Sequence, residues 1–218
     1  MSAHPHLGQP VLTFGPPPAS ARLGAILIHG RGASAEDILG LAHQFALPDV
    51  AYVAPQAAGH SWYPFSFLTR IEQNEPGLSS ALLVIEGLVL HFEQQGLPAD
   101  RVALMGFSQG ACLTLEYAAR HAQRYAAIAG FSGGVIGPPG TARDYPGSFD
   151  GTPVFVGCSD VDPHIPVERV RESAEVYRRM GATVDERIYP GMGHTINQAE
   201  IDAVRLLLTA PRQESQIL

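Results

Sequence analysis

Arg101-Val-Ala-Leu-Met-Gly106-Phe-Ser108-Gln-Gly110-Ala-Cys112-Leu-Thr-Leu-Glu-Tyr117 reads as a strand, a sharp turn and a helix. The apolar run before Gly106 suits a strand covered on both faces. Gly106-Phe-Ser108-Gln-Gly110 then places G-x-S-x-G in the strand-to-helix setting where that pattern has a mechanism. A serine on such a turn has strained dihedrals, and glycines two positions to either side let strand and helix approach closely. The turn lifts the Ser108 hydroxyl out at the carboxyl end of the sheet, and the helix behind it points its positive end at any oxyanion formed there.

The rest of the chain alternates short β-rich apolar runs with longer segments of helical period, the pattern of parallel strands joined by crossover helices. Strands are expected at Ala25–His29, Val50–Ala54, Arg101–Gly106, Ala126–Phe131, Pro153–Gly157 and Val184–Tyr189, with a weaker one near Val11–Phe14. Leu78, Leu82, Ile85, Val89 and Phe92 form one apolar helical stripe, and Val167, Val170, Ala174 and Tyr177 a second. Ser34 before Asp37 and Asn197 before Glu200 are helix starts whose side chains can satisfy free backbone N–H groups. No repeat or linker divides the chain, so one α/β domain spans 1–218, with a mostly parallel sheet, helices on both faces, and fraying tails at 1–10 and 211–218.

Composition limits the function. The chain has 218 residues, 45% hydrophobic and 16% charged, with a net charge of −7. That balance fits a compact fold and, with no basic cluster, disfavours nucleic acid as a partner. No apolar stretch approaches a membrane span and no secretion signal stands at the start. Cys112 and Cys158 read as two buried thiols rather than a disulfide, which points to the cytoplasm.

A serine hydroxyl needs an imidazole to take its proton and a carboxylate to hold that imidazole in the right tautomer. Chain order requires the acid after a later strand and the histidine after the last. Pro153-Val-Phe-Val-Gly-Cys-Ser-Asp160-Val-Asp162 supplies two acids, which spacing does not separate, and Ile188-Tyr-Pro-Gly-Met-Gly-His194 supplies the base. The oxyanion donors are expected to be the backbone N–H of Gln109 and, from His29-Gly30-Arg31-Gly32, that of Arg31. His4, His6, His43, His60, His91 and His121 are expected on the surface, and His164 beside Asp162 as a loop neighbour.

Taken together, His29-Gly-Arg-Gly32, Gly106-Phe-Ser-Gln-Gly110, Asp162-Pro-His-Ile-Pro166 and Gly193-His194 resemble the phospholipase/carboxylesterase family, which includes the acyl-protein thioesterases. The resemblance spans nearly the whole domain and implies an α/β-hydrolase fold. It implies Ser108, Asp162 and His194 as the triad, with D-P-x-x-P raising Asp162 over Asp160, and Arg31 and Gln109 as oxyanion donors. Relatives often carry an apolar residue where this chain has Arg31, which leaves that side chain's task open. The resemblance implies hydrolysis of carboxylic esters, thioesters or lysophospholipids without metal or organic cofactor.

About twenty residues separate the strands ending at Phe131 and beginning at Pro153, too few for a helical cap, so an open cleft is expected. Pro55–Gly77, rich in aromatic residues, is the expected apolar wall, with Trp62 its first substrate contact. The partner would be a small-molecule ester, and a homodimer is allowed but not specified. Activity should rise with pH as His194 gives up its proton. Two rivals stand beside a short- to medium-chain esterase: a thioesterase or lysophospholipase for longer chains, and a non-catalytic binding protein on the same fold.

Overall fold

The computed structural model describes residues 3–210. Among these residues seven strands form one sheet in the order β1-β3-β2-β4-β5-β6-β7. They are β1 (Val11–Phe14), β2 (Leu23–Ile28), β3 (Val50–Pro55), β4 (Val102–Phe107), β5 (Ala127–Phe131), β6 (Pro153–Ser159) and β7 (Thr183–Tyr189). Only β1, at one edge, runs antiparallel to its neighbour; β2 to β7 are parallel. Every expected strand is present, including the weak one.

Among the described residues five α-helices cover the sheet: α1 (Ala35–Phe45), α2 (Gly77–Gln94), α3 (Gln109–Arg120), α4 (Val167–Arg179) and α5 (Gln198–Thr209). Alternation along β2 divides the core. Ile26 and Ile28 face α2, α3 and α4, while Ala25 and Leu27 face α1 and α5. All five residues of the α2 stripe are buried, each side chain contributing about 1.5–3 kcal/mol by leaving water. Both expected capping boxes form: Ser34 and Asp37 open α1, and Asn197 and Glu200 open α5. Val167 alone of the α4 stripe stays half-buried.

The segment 132–152 crosses from β5 to β6 without a helix, so it carries no helical cap. No described helix is long and apolar enough to cross a membrane. Cys112 and Cys158 are free and buried.

The amino-terminal expectation needs correction. His6 is 4% exposed, so the segment around it is docked rather than frayed, and His6 is not a surface histidine. Its Nδ1 accepts the Ala58 N–H at 3.1 Å and its Nε2 donates to the Trp62 carbonyl at 2.8 Å. Two buried backbone groups gain partners this way, which outweighs the entropy of a loose end. The 211–218 tail lies outside the described residues.

Candidate active site

Ser108 joins β4 to α3 at φ 56°, ψ −118°, in the half-plane that disfavours side chains. Its N–H donates to the Phe131 carbonyl at 2.9 Å, and its carbonyl accepts the Cys112 N–H at 3.0 Å. Close packing explains the flanking glycines. A Cβ on Gly106 would collide with the Gly110 carbonyl, and one on Gly110 with the carbonyls of Ile28 and His29. The strain at Ser108 is therefore held by β2, β4 and α3 together.

The structure brings Ser108, His194 and Asp162 into one hydrogen-bonded line. Ser108 Oγ is 2.8 Å from His194 Nε2, and His194 Nδ1 is 2.6 Å from Asp162 Oδ2. The Asp162 side chain is fully buried, and its Oδ1 accepts the N–H groups of His164 at 2.8 Å and Ile165 at 3.1 Å. Burial alone would raise its pKa, but the bonds from His194 and these two amides outweigh it and hold the carboxyl below its ordinary range. An ionised Asp162 fixes the proton on Nδ1, which leaves the Nε2 lone pair facing the Ser108 hydroxyl.

Asp160, the other acid left open by spacing, has a different position. It is exposed, and its Oδ1 accepts the Gly191 N–H at 2.7 Å. Ser159 Oγ accepts the Gly193 N–H at 3.1 Å, and the Asp160 N–H reaches the Tyr189 carbonyl at 3.2 Å. The turn after β6 thus grips the turn after β7 at three points before Asp162 meets His194. Sequence reading missed Ser159 and Asp160 as loop anchors; polar side chains packed against the glycines of an opposing turn were the available signal. The imidazole is flanked by Phe107, with ring centres 4.9 Å apart, and by the edge of His164 at 4.8 Å.

Two backbone segments lie beside the nucleophile. Gln109 is the first residue of α3, so its N–H has no acceptor inside the helix. Its side chain is pinned away from that N–H, Oε1 accepting from Trp62 N–H at 2.9 Å and Nε2 donating to the Tyr63 carbonyl at 2.8 Å. The 29–32 turn runs close to Ser108: a Cβ added to Gly30 would lie 3.3 Å from the serine Cβ. Within that turn the Gly32 N–H donates to His60 at 2.7 Å and the Ala33 N–H to Gly30 at 3.2 Å.

The Arg31 side chain, whose task was open, spans to the neighbouring loop. It donates to Ser61 Oγ at 2.9 Å and to the carbonyls of Tyr63 (2.9 Å), Pro64 (3.0 Å) and Phe65 (2.8 Å). An apolar residue here could make none of these bonds.

Trp62, expected to line the cleft, does not. Its side chain is 0% exposed, its Nε1 donates to the His29 carbonyl at 2.9 Å, and its ring packs against His6 and His29. An indole N–H needs a partner once buried, and a carbonyl in the 29–32 turn supplies it, which draws the ring under that turn rather than into the cleft. Tyr63 and Phe67 are buried as well, whereas Phe65 is 55% exposed. Among the described residues no group of three His, Cys, Asp or Glu side chains is arranged to hold a metal ion.

The phospholipase/carboxylesterase family model matches residues 17–210. A solved phospholipase/carboxylesterase from Dyadobacter fermentans is 42% identical, with a TM-score of 0.90 over 96% of this chain and 99% of that one. Acyl-protein thioesterase 1 of Neurospora crassa is 27% identical over 88% of this chain and 89% of its own length. Acyl-protein thioesterase 2 of Zea mays, at 18% identity and a TM-score of 0.71 over 92% of this chain and 98% of that one, shares the fold. The architecture is the α/β-hydrolase fold, and the chain belongs to the phospholipase/carboxylesterase family of hydrolases.

Proposed function

We propose that the chain is a serine carboxylesterase acting on esters of short to medium acyl chains. The observation that carries the reading is the line Asp162–His194–Ser108, bonded at 2.6 and 2.8 Å. His194 takes the Ser108 proton as Oγ attacks the acyl carbon. The N–H groups of Gln109 and Arg31 stabilise the oxyanion, and the departing alcohol receives the proton from Nε2. Water then adds to the acyl-enzyme with His194 as base, and Asp162 stays ionised throughout. These steps use the chain's own side chains and amides and call on no cofactor. The substrate is a small-molecule ester met in the cytoplasm, not nucleic acid or a membrane-embedded lipid.

Thioester hydrolysis on longer chains is the second reading, favoured by the likeness to the acyl-protein thioesterase of Neurospora crassa. A series of esters and matched thioesters from acetyl to palmitoyl separates the two. The carboxylesterase reading expects kcat/KM to peak between acetyl and octanoyl esters and to vanish in Ser108→Ala. A peak at palmitoyl thioesters overturns it in favour of the second.

A further inference from the structure

One hollow of about 930 Å³ lies at the amino ends of the strands, lined by Arg22, Tyr125 and Leu208 among others, away from Ser108. Another, of about 370 Å³, lies at the carboxyl ends between α1 and the start of α5, and reaches Gly30, Phe107 and His194. Those three residues surround the nucleophile. His194 Nε2 is 2.8 Å from Ser108 Oγ, a Cβ added to Gly30 would lie 3.3 Å from the Ser108 Cβ, and Phe107 precedes it in the chain. The second hollow therefore begins one side chain from the reacting atoms.

Resting on the esterase reading above, we infer that this hollow receives the leaving group of the substrate, and that the group is a neutral, apolar alcohol or thiol. In acylation the Ser108 Oγ–acyl carbon bond forms and the acyl carbon–oxygen or carbon–sulfur bond breaks. The electron pair of the broken bond stays on the departing atom, which takes from His194 Nε2 the proton that left Ser108. The departing atom must come to the imidazole, so its substituent extends past His194. Ile38, Leu41, Ile196 and Ile201 supply the apolar walls there. The lining includes Asp37 and no arginine, so an anionic phosphoryl alcohol meets no fixed cation beyond the His194 imidazole itself.

Gly40 of α1 lines the hollow, and a Cβ there meets nothing within 4 Å. Gly40→Phe narrows the space without a backbone clash, and Ile196→Ala widens it. Acetyl esters of methanol, isobutanol and 2-naphthol share one acetyl-enzyme, so kcat/KM reports acylation and the deacylation rate serves as an internal control. Relative to wild type, Gly40→Phe is expected to lower kcat/KM for the naphthyl ester about tenfold, leaving the methyl ester and deacylation within about twofold. Ile196→Ala should shift the preference toward the larger alcohol. Labelling of Ser108 by a fluorophosphonate, which expels only fluoride, should keep its wild-type rate in both variants. If both label normally and show no dependence on the alcohol, or if their effects follow acyl length or deacylation, the pocket assignment fails while the esterase reading stands. Absence of labelling in folded wild type removes that reading, and the pocket's task with it.

Discussion

Asp162 and Asp160 stand two residues apart on one turn, yet their environments assign them separate work. Asp162 is buried, takes two amides and the imidazole, and is held ionised. Asp160 is exposed and steadies the backbone of Gly191. Asp162→Asn should therefore lower kcat about 10⁴-fold, because the amide stabilises the wrong tautomer of His194. Asp160→Ala should cost less than the roughly 100-fold that a 1 Å misplacement brings, since Ser159 still holds Gly193. Steady-state kinetics on one ester checks both, and equal losses in the two variants would contradict the division of roles. Spacing could not separate these acids, because their difference lies in which amides the folded turn points at each carboxylate.

At the scale of elements, the site is a junction of turns at the carboxyl ends of the parallel strands, and Arg31 ties two of them together. Its four bonds to residues 61–65 fix the loop that also holds the Gln109 side chain. Arg31→Leu keeps the backbone N–H proposed for the oxyanion but frees that loop. Amide exchange at residues 61–66 should quicken and kcat/KM should fall about tenfold, from losing hydrogen bonds worth about 1–2 kcal/mol at a partly exposed site. Unchanged exchange there would show that Gln109 and Asn74 hold the loop by themselves. The elements themselves were legible: the β4–α3 turn, the apolar stripe of α2 and both capping boxes follow from periodicity and cap chemistry. Trp62 was not, because a loop rich in aromatic residues does not reveal which ring turns inward. The acceptor that its indole finds at His29 comes from a strand end more than thirty residues away. His6 escaped for the same reason, since its partners Trp62 and Ala58 come together only in the fold.

Across the whole molecule, two buried histidines and one buried acid contribute opposing responses to pH. Burial lowers the pKa of His6 and His29, so the stability tied to their neutral forms is complete above their ordinary 6.5 and declines as pH falls below it. Glu200 runs the other way. Burial beside β6 pushes its pKa up to about 7 from an ordinary 4.5, so its contribution is complete below 4.5 and is lost as pH rises through about 7. Glu200→Gln removes that loss. The melting temperature of the variant minus that of wild type should become more positive between pH 5 and pH 8, and a difference that stays flat with pH would contradict the burial argument. The parallel sheet and the order of serine, acid and histidine were readable because they depend on local pattern and topology. The docked amino terminus and the buried Glu200 depend on long-range packing, which one sequence does not display.

The central claim is that Ser108 is a nucleophile activated by His194, and trapping it covalently is the most direct test. Folded protein treated with a fluorophosphonate is expected to gain a single adduct, mapped by peptide mass spectrometry to Ser108, absent in Ser108→Ala and slowed in His194→Ala. Folded wild-type protein that takes no adduct, or carries it on another residue, would contradict the account.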